Sequence, residues 1–284
     1  RINQCRNRIK NNLDRCKGVM GFLINPFIEF PSGAGNFTNV DDLLAYYKFD
    51  TTTGGLVNKA SDVGSSSEIS NGDGSVTGAT TVTGLIDNAY NFDGVNDYVE
   101  MSGSNTTFKV FSDGSTDWTI NYWYKFADSD PNKYMAHNGT VYFGGGKQGY
   151  YLFSSPNYNM RFVNNFGSGS GIDFQSANNY LPADTDWHMI TFTYQISTQT
   201  VTLKLDGANT YSVDYSYTEP TQNASFNFQI GKNPSASDQF FDGDQDELSM
   251  WGRILTDSEI TELYNSGNGL AIDGTWLKKL LKKN

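Results

Sequence analysis

Three aspartates at alternate positions, Asp242, Asp244 and Asp246 in "FDGDQDELSMWGRILTDSEI", have the spacing that aims strand side chains toward one side. Carboxylates grouped this way can hold a hard cation, act as an acid–base pair, or face water at the wet end of a strand. "DGDQDE" is not an EF-hand loop, because Glu247 stands where that loop needs glycine. Other reactive groups are sparse. The chain has two histidines, His137 and His188, and seven glutamates, at 29, 68, 100, 219, 247, 259 and 262. It contains no Gly-x-Ser-x-Gly elbow, no phosphate-binding loop and no paired Cys/His zinc spacing. His188, in "DWHMITF", reads as a packed or edge histidine. No residue is assigned a catalytic role, and the chain reads as non-catalytic.

The net charge of −11 is unevenly spread. Residues 1–18 hold six Arg/Lys against one Asp, and residues 274–284 hold four Lys and no acid, so removing +5 and +4 from −11 leaves −20 on the body. Such a body repels phosphate, which argues against nucleic acid as its partner. No run of 18 apolar residues is present, so no segment reads as a membrane-spanning helix. Abundant Tyr and Phe (17 and 19), 29 Gly and only 18% charged residues suit an all-β protein with many tight turns.

The elements that must position these groups fall into four parts. Residues 1–24 form a basic segment whose apolar positions, Ile2, Cys5, Ile9, Leu13, Cys16, Met20 and Leu23, alternate steps of three and four, a narrow helical seam. On such a helix Cys5 and Cys16 are about 16 Å apart at 1.5 Å per residue, too far for a disulfide, whereas a segment that bends back would let them close a loop. The seam has coiled-coil spacing and reads as an anchor for a sister helix or a scaffold groove. Residues 25–41 are a linker containing "PSGAG". Over 42–270 the texture is β, with strands expected at 43–50, 88–101, 118–126, 187–195, 200–207, 225–231 and 246–252, punctuated by Gly, Asn and Asp. A helix follows the last strand: Thr256 and Glu259 make a capping box, and Leu255 and Ile260 fall at the staple positions. Residues 271–284 form a basic tail, "DGTWLKKLLKKN", that reads as a short amphipathic helix.

"LLAYYKFD", "NFDGVNDYVEM", "DWTINYWYKF", "DWHMITFTY", "TVTLKLDGA" and "FDGDQDELSMWGRILTDSEITELYNSG" occur in the order found in laminin-G-like, concanavalin A-like jelly rolls, and residues 43–267 resemble that superfamily. The resemblance implies a β-sandwich of two antiparallel sheets in which the first strand pairs with the last. Trp118, Trp123, Trp187 and Trp251 read as core.

Some members of the superfamily are glycoside hydrolases that carry Glu-x-Asp-x-Glu on one strand, a run this chain lacks. Related jelly rolls often hold one calcium between the first-strand region and the last. By position that site would use Asp246 with Asp62 or Asp50, with Asp242 and Asp244 as a solvated lead-in. Solvated turn carboxylates are the competing reading. Asp93, Asp97 and Asp206 read as turn formers. Glycan binding would draw on exposed aromatics and amides, and residues 134–165, with five tyrosines, are the richest stretch. The reading that results is a non-catalytic module displayed on an extracellular or virion surface. A capsid, appendage or other scaffold protein is expected to hold it by the N-terminal helix, as a homo-oligomer or part of a larger assembly, with a cell-surface glycan as the second partner. The alternative is a glycan-processing hydrolase or its accessory module.

Overall fold

"WTINYWYKF" sets Trp118, Ile120, Tyr122, Tyr124 and Phe126 at alternate positions, the pattern of a strand with one core face. It forms β6, Trp118–Phe126, with eight of nine residues buried. The computed structural model describes residues 36–70, 72–101, 108, 116–128, 134–137, 148–154, 157–166, 171–214, 226–234 and 236–275. The anchor seam Ile2, Cys5, Ile9, Leu13, Cys16 and Met20, most of the linker and the tail from residue 276 lie outside them.

The strands before β6 are β1 (Leu43–Tyr47), β2 (Ser75–Thr77), β3 (Thr80–Thr83), β4 (Asn88–Asp93) and β5 (Tyr98–Met101). After it come β7 (Tyr134–His137), β8 (Gln148–Ser154), β9 (Met160–Phe166), β10 (Gly171–Gln175) and β11 (His188–Gln195). The last four are β12 (Thr200–Leu205), β13 (Asn209–Asp214), β14 (Phe228–Ile230) and β15 (Asp242–Trp251), and helix α1 follows at Asp257–Tyr264. One sheet runs β13-β12-β11-β6-β15-β4-β3, with β1 also on β15, and the other runs β10-β9-β8-β7-β14-β5-β2. Neighbouring strands are antiparallel throughout.

The first strand does pair with the last, Leu43 opposite Trp251 and Tyr47 opposite Leu248. β4 takes the other half of β15, from Asp242 to Gln245, so β1 and β4 share that strand end to end. Between them the register shifts, and Glu247 has a φ of 51°, a bulge in the left-handed region.

Between the sheets lies a core that includes Tyr90, Phe92, Trp118, Phe162, Phe192 and Phe241. A second layer covers the outer face of the first sheet. There Trp123, Trp251, Met189 and Tyr46 are buried under Ile260 and Leu263 of α1. This second layer explains the continuous burial of β6. Trp187 is half-buried against the same layer. The helix is set as expected: Thr256 accepts from the Glu259 N–H, the Glu259 carboxylate accepts from the Thr256 N–H, and Leu255 and Ile260 are both buried. Packing extends past 42–270, because Phe37 bridges to Ile272 and is itself fully buried.

Candidate functional site

Of the aspartate trio, Asp242 and Asp244 do not form a lead-in ahead of the strand. β15 starts at Asp242, so all three residues lie within the strand, and Asp244 is flanked by Asn91, at 2.8 Å, and Lys125, at 3.8 Å. The run of apolar residues that marks the strand in the sequence begins only after Glu247, which is why its true start was hidden. Asp246 is opposite Trp123 and fully buried. Its Oδ2 accepts from the backbone N–H groups of Leu85 and Ile86, at 3.0 and 3.1 Å, while its Oδ1 has no partner. The bulge turns Glu247 to the same outer layer as Asp246. Tyr46, whose hydroxyl accepts from the Ile272 N–H, donates to Glu247 Oε2, and Oε1 is left without a partner.

Burial pushes the Asp246 carboxyl up to about 7, despite the N–H groups that favour its charge, and the charge of Asp50 adds to the rise. Burial, with the neighbouring Asp246 next, likewise drives Glu247 well above the usual carboxylate range. Two adjacent buried carboxyls, each with an unpartnered oxygen, are costly unless protonated or neutralised.

Of the two residues expected to join Asp246, Asp50 acts on it electrostatically and also pairs with Lys48 at 3.3 Å. Asp62 pairs with Lys59 at 3.0 Å, and its side chain is 64% exposed. Oxygen-only donors suit calcium rather than a thiolate- or imidazole-seeking metal. Among the described residues no three His, Cys, Asp or Glu side chains converge to hold a metal ion. A cation at Asp246 would therefore complete its shell with backbone carbonyls or water. The residues fit such an ion through the free Oδ1 of Asp246 and Oε1 of Glu247.

A second group of candidate side chains escaped the sequence reading. On β5, Val99 and Met101 enter the core, so Tyr98 and Glu100 face outward from the second sheet. The Glu100 carboxylate accepts from the amides of Asn227, at 3.2 Å, and Gln229. Gln229 is 7% exposed and its Oε1 has no partner. Beside them the Lys232 ammonium lies 4.5 Å from the ring centroid of Tyr98 and 5.4 Å from that of Phe240. Both rings are half-exposed. The register continues the row from Glu100 through Gln229, His137 and Tyr151 to Val163 and Asp173. The tyrosine-rich stretch 134–165 does reach this sheet. The alternation "YVEM", with polar groups out and apolar groups in, was the signal available for Tyr98 and Glu100.

His188 is held between two carboxylates, Nδ1 at 2.9 Å from Asp206 and Nε2 at 2.9 Å from Asp184. Burial opposes its charge, but the two carboxylates outweigh that and raise its pKa. Asp206 also accepts from the Met189 N–H, which makes this a clamp between the 184–187 loop and the turn after β12.

The sequence profile of the concanavalin A-like lectin/glucanases superfamily matches residues 92–261. The chain belongs to that superfamily. The two-sheet fold is shared with domain 4 of AbnA, a GH43 extracellular arabinanase from Geobacillus stearothermophilus solved with arabinotriose. That match has a TM-score of 0.54 and 19% identity over 78% of this chain and 97% of that domain. The fold also matches the binding domain of botulinum neurotoxin DC, solved with SialylT (TM-score 0.55, 11% identity) and with rat synaptotagmin II (TM-score 0.53, 12% identity). These matches cover 80% and 79% of this chain but only about half of the toxin domain, 52% and 51%. A comparison with curated proteins found no match. Among the described residues no helix is long and apolar enough to cross a membrane.

Proposed function

We propose that this chain is a non-catalytic glycan-binding module, with its ligand face on the outer side of the second sheet around Tyr98, Glu100, Gln229, Lys232 and Phe240. The observation that carries this reading is the buried Gln229 with a free carbonyl, beside a carboxylate held by two amides and two half-exposed aromatic rings. Aromatic faces pack against the C–H side of a sugar ring, and amides and carboxylates fix its hydroxyls. Superfamily membership supports the reading, as do fold neighbours solved with arabinotriose and with SialylT. It includes one structural calcium at Asp246, with Glu247 beside it and the charge of Asp50 nearby, supported by the unpartnered oxygens of Asp246 and Glu247. It also includes display outside cells or on a virion surface, with residues 1–24 anchoring the module to a scaffold or capsid protein. The test is a glycan array followed by calorimetry on its hits. Binding weakened at least tenfold by Tyr98→Ala and by Glu100→Gln, with no release of reducing ends, is the expected result. Hydrolysis of a bound glycan would refute the non-catalytic assignment.

A further inference from the structure

A groove of about 170 Å³ runs between the outer face of β11–β12 and the chain that leads into α1. Its volume is well under the roughly 300 Å³ at which pockets for drug-sized ligands begin, so it has room for one small ring. The two walls differ in chemistry. On the sheet side, Thr193 is opposite Thr202 and Gln195 is opposite Thr200, which sets three hydroxyls and an amide in two cross-strand pairs about 5 Å across. On the other side, the half-buried Ile254 presents aliphatic surface, backed by the buried Leu255 and Ile260. Lys204 and Asp257, which also line the groove, form an ion pair at 3.1 Å.

Two of the three hydroxyls are bonded to neighbours outside the lining. Thr200 Oγ1 donates to Asp214, at 2.7 Å, or to Thr198, at 2.8 Å, and Thr202 shares a hydrogen bond with Ser212 at 3.0 Å. A hydroxyl whose proton is committed keeps acceptor lone pairs. Lys204 and the amide of Gln195 add donors. Alternating donors and acceptors on one wall and aliphatic carbon on the other are what a sugar ring meets with its hydroxyl edge and its C–H face. The acid count selects further. Asp257 is 86% exposed at the groove, and Asp214 is one hydrogen bond behind Thr200. Lys204 offsets the charge of Asp257, so an anionic sugar finds no unpaired cation in the lining and is repelled by Asp214.

We infer that this groove is a second saccharide subsite, on the opposite sheet from the Tyr98 face, and that it takes one ring of a neutral oligosaccharide. The inference rests on the glycan-binding reading above. With no aromatic ring in its wall, the groove binds weakly by itself and adds to overall affinity when a glycan or a glycan-coated surface engages both faces.

The experiment is an amide chemical-shift titration of the full chain with arabinotriose, and with 3′-sialyllactose as the acidic comparator. Arabinotriose is expected to shift amides in 193–204 and 254–260, and sialyllactose to leave them unmoved. Thr202→Val and Lys204→Met should each abolish those shifts, at unchanged melting temperature, while any shifts around Tyr98 and Glu100 persist. Valine keeps the shape and strand preference of threonine, so loss of folding is not expected and is checked by the same spectra. Shifts confined to the Tyr98 face would overturn the groove and leave the general reading standing. Shifts in the groove that survive both substitutions would also overturn the assignment. No shift on either face, with a glycan array also blank, would overturn both readings.

Discussion

Asp246 and Glu247 raise a question of single atoms: why a strand in a well-packed domain keeps two carboxyls buried side by side with one oxygen of each unpartnered. Leaving a buried acceptor unsatisfied costs about 1–3 kcal/mol, more when it is charged. A cation that binds only the folded state would offset that cost by mass action, on the order of 3 kcal/mol at a hundredfold excess over its Kd. Calcium is therefore expected to raise the melting temperature of the wild type above its value in chelator, and Asp246→Asn to abolish the rise. In chelator the variant should melt no lower than the wild type, because its carbonyl still accepts from Leu85 and Ile86 while the buried charge is gone. Identical melting curves with calcium and with chelator would count against a metal and leave protonation as the way the pair is kept neutral.

Single elements give two further expectations, with opposite pH signatures. The His188 clamp ties the loop before β11 to the turn after β12. Because its folded pKa is raised, its contribution is fully present below the unfolded value, about 6.5, and is lost as pH rises through the folded value. His188→Gln should flatten that alkaline-side loss in a plot of melting temperature against pH, and an unchanged profile would show that the clamp is energetically idle. At the other end of the first sheet, Glu259 caps α1 and pairs with Arg253. Burial opposes its charge, but the bonds from Arg253 and the Thr256 N–H outweigh that and hold it at about 2. Its contribution is present above about 4.5 and lost as pH falls through about 2. Thr256→Ala should cost about 1 kcal/mol in denaturant unfolding, and no loss would mean that packing of Ile260 and Leu263 alone sets the helix. This helix was legible in the sequence because its signals are local: cap, box and staple lie within six residues. The start of β15 was not. Asp242 and Asp244 read as a turn on their own, and only their pairing with β4 and β6, some 120 to 150 residues earlier, makes them strand.

For the whole molecule, the same distinction between local and distant signals decides what the sequence could show. The sandwich was legible in strand texture and in ordered motifs that resemble the superfamily, and the pairing of first strand with last was what that resemblance implied. The proposed ligand face was not legible, because Glu100 and Gln229 become neighbours only when β5 and β14 pair. The partners of Asp246 are also distant, since Leu85 and Ile86 reach it from a loop. The anchor is a different matter, for its signal is local and independent of the sandwich. The described residues from 36 to 275 belong to one compact unit. In the proposed anchor, the seam Ile2, Cys5, Ile9, Leu13, Cys16, Met20 and Leu23 would span about three heptads, marginal for a lone helix, and burial against sister helices or a scaffold would supply what propensity cannot. Deleting residues 1–30 should then leave the melting temperature within about 2 °C, since the core from Phe37 to Ile272 is untouched, while the chain no longer joins its assembly. Ile9→Asp, which places a charge in the middle of the seam, should reproduce the deletion. The measurement is light scattering and co-sedimentation of wild type and both variants with the native assembly. Full incorporation of the truncated chain would move the anchor to "WLKKLLKK" at the other end.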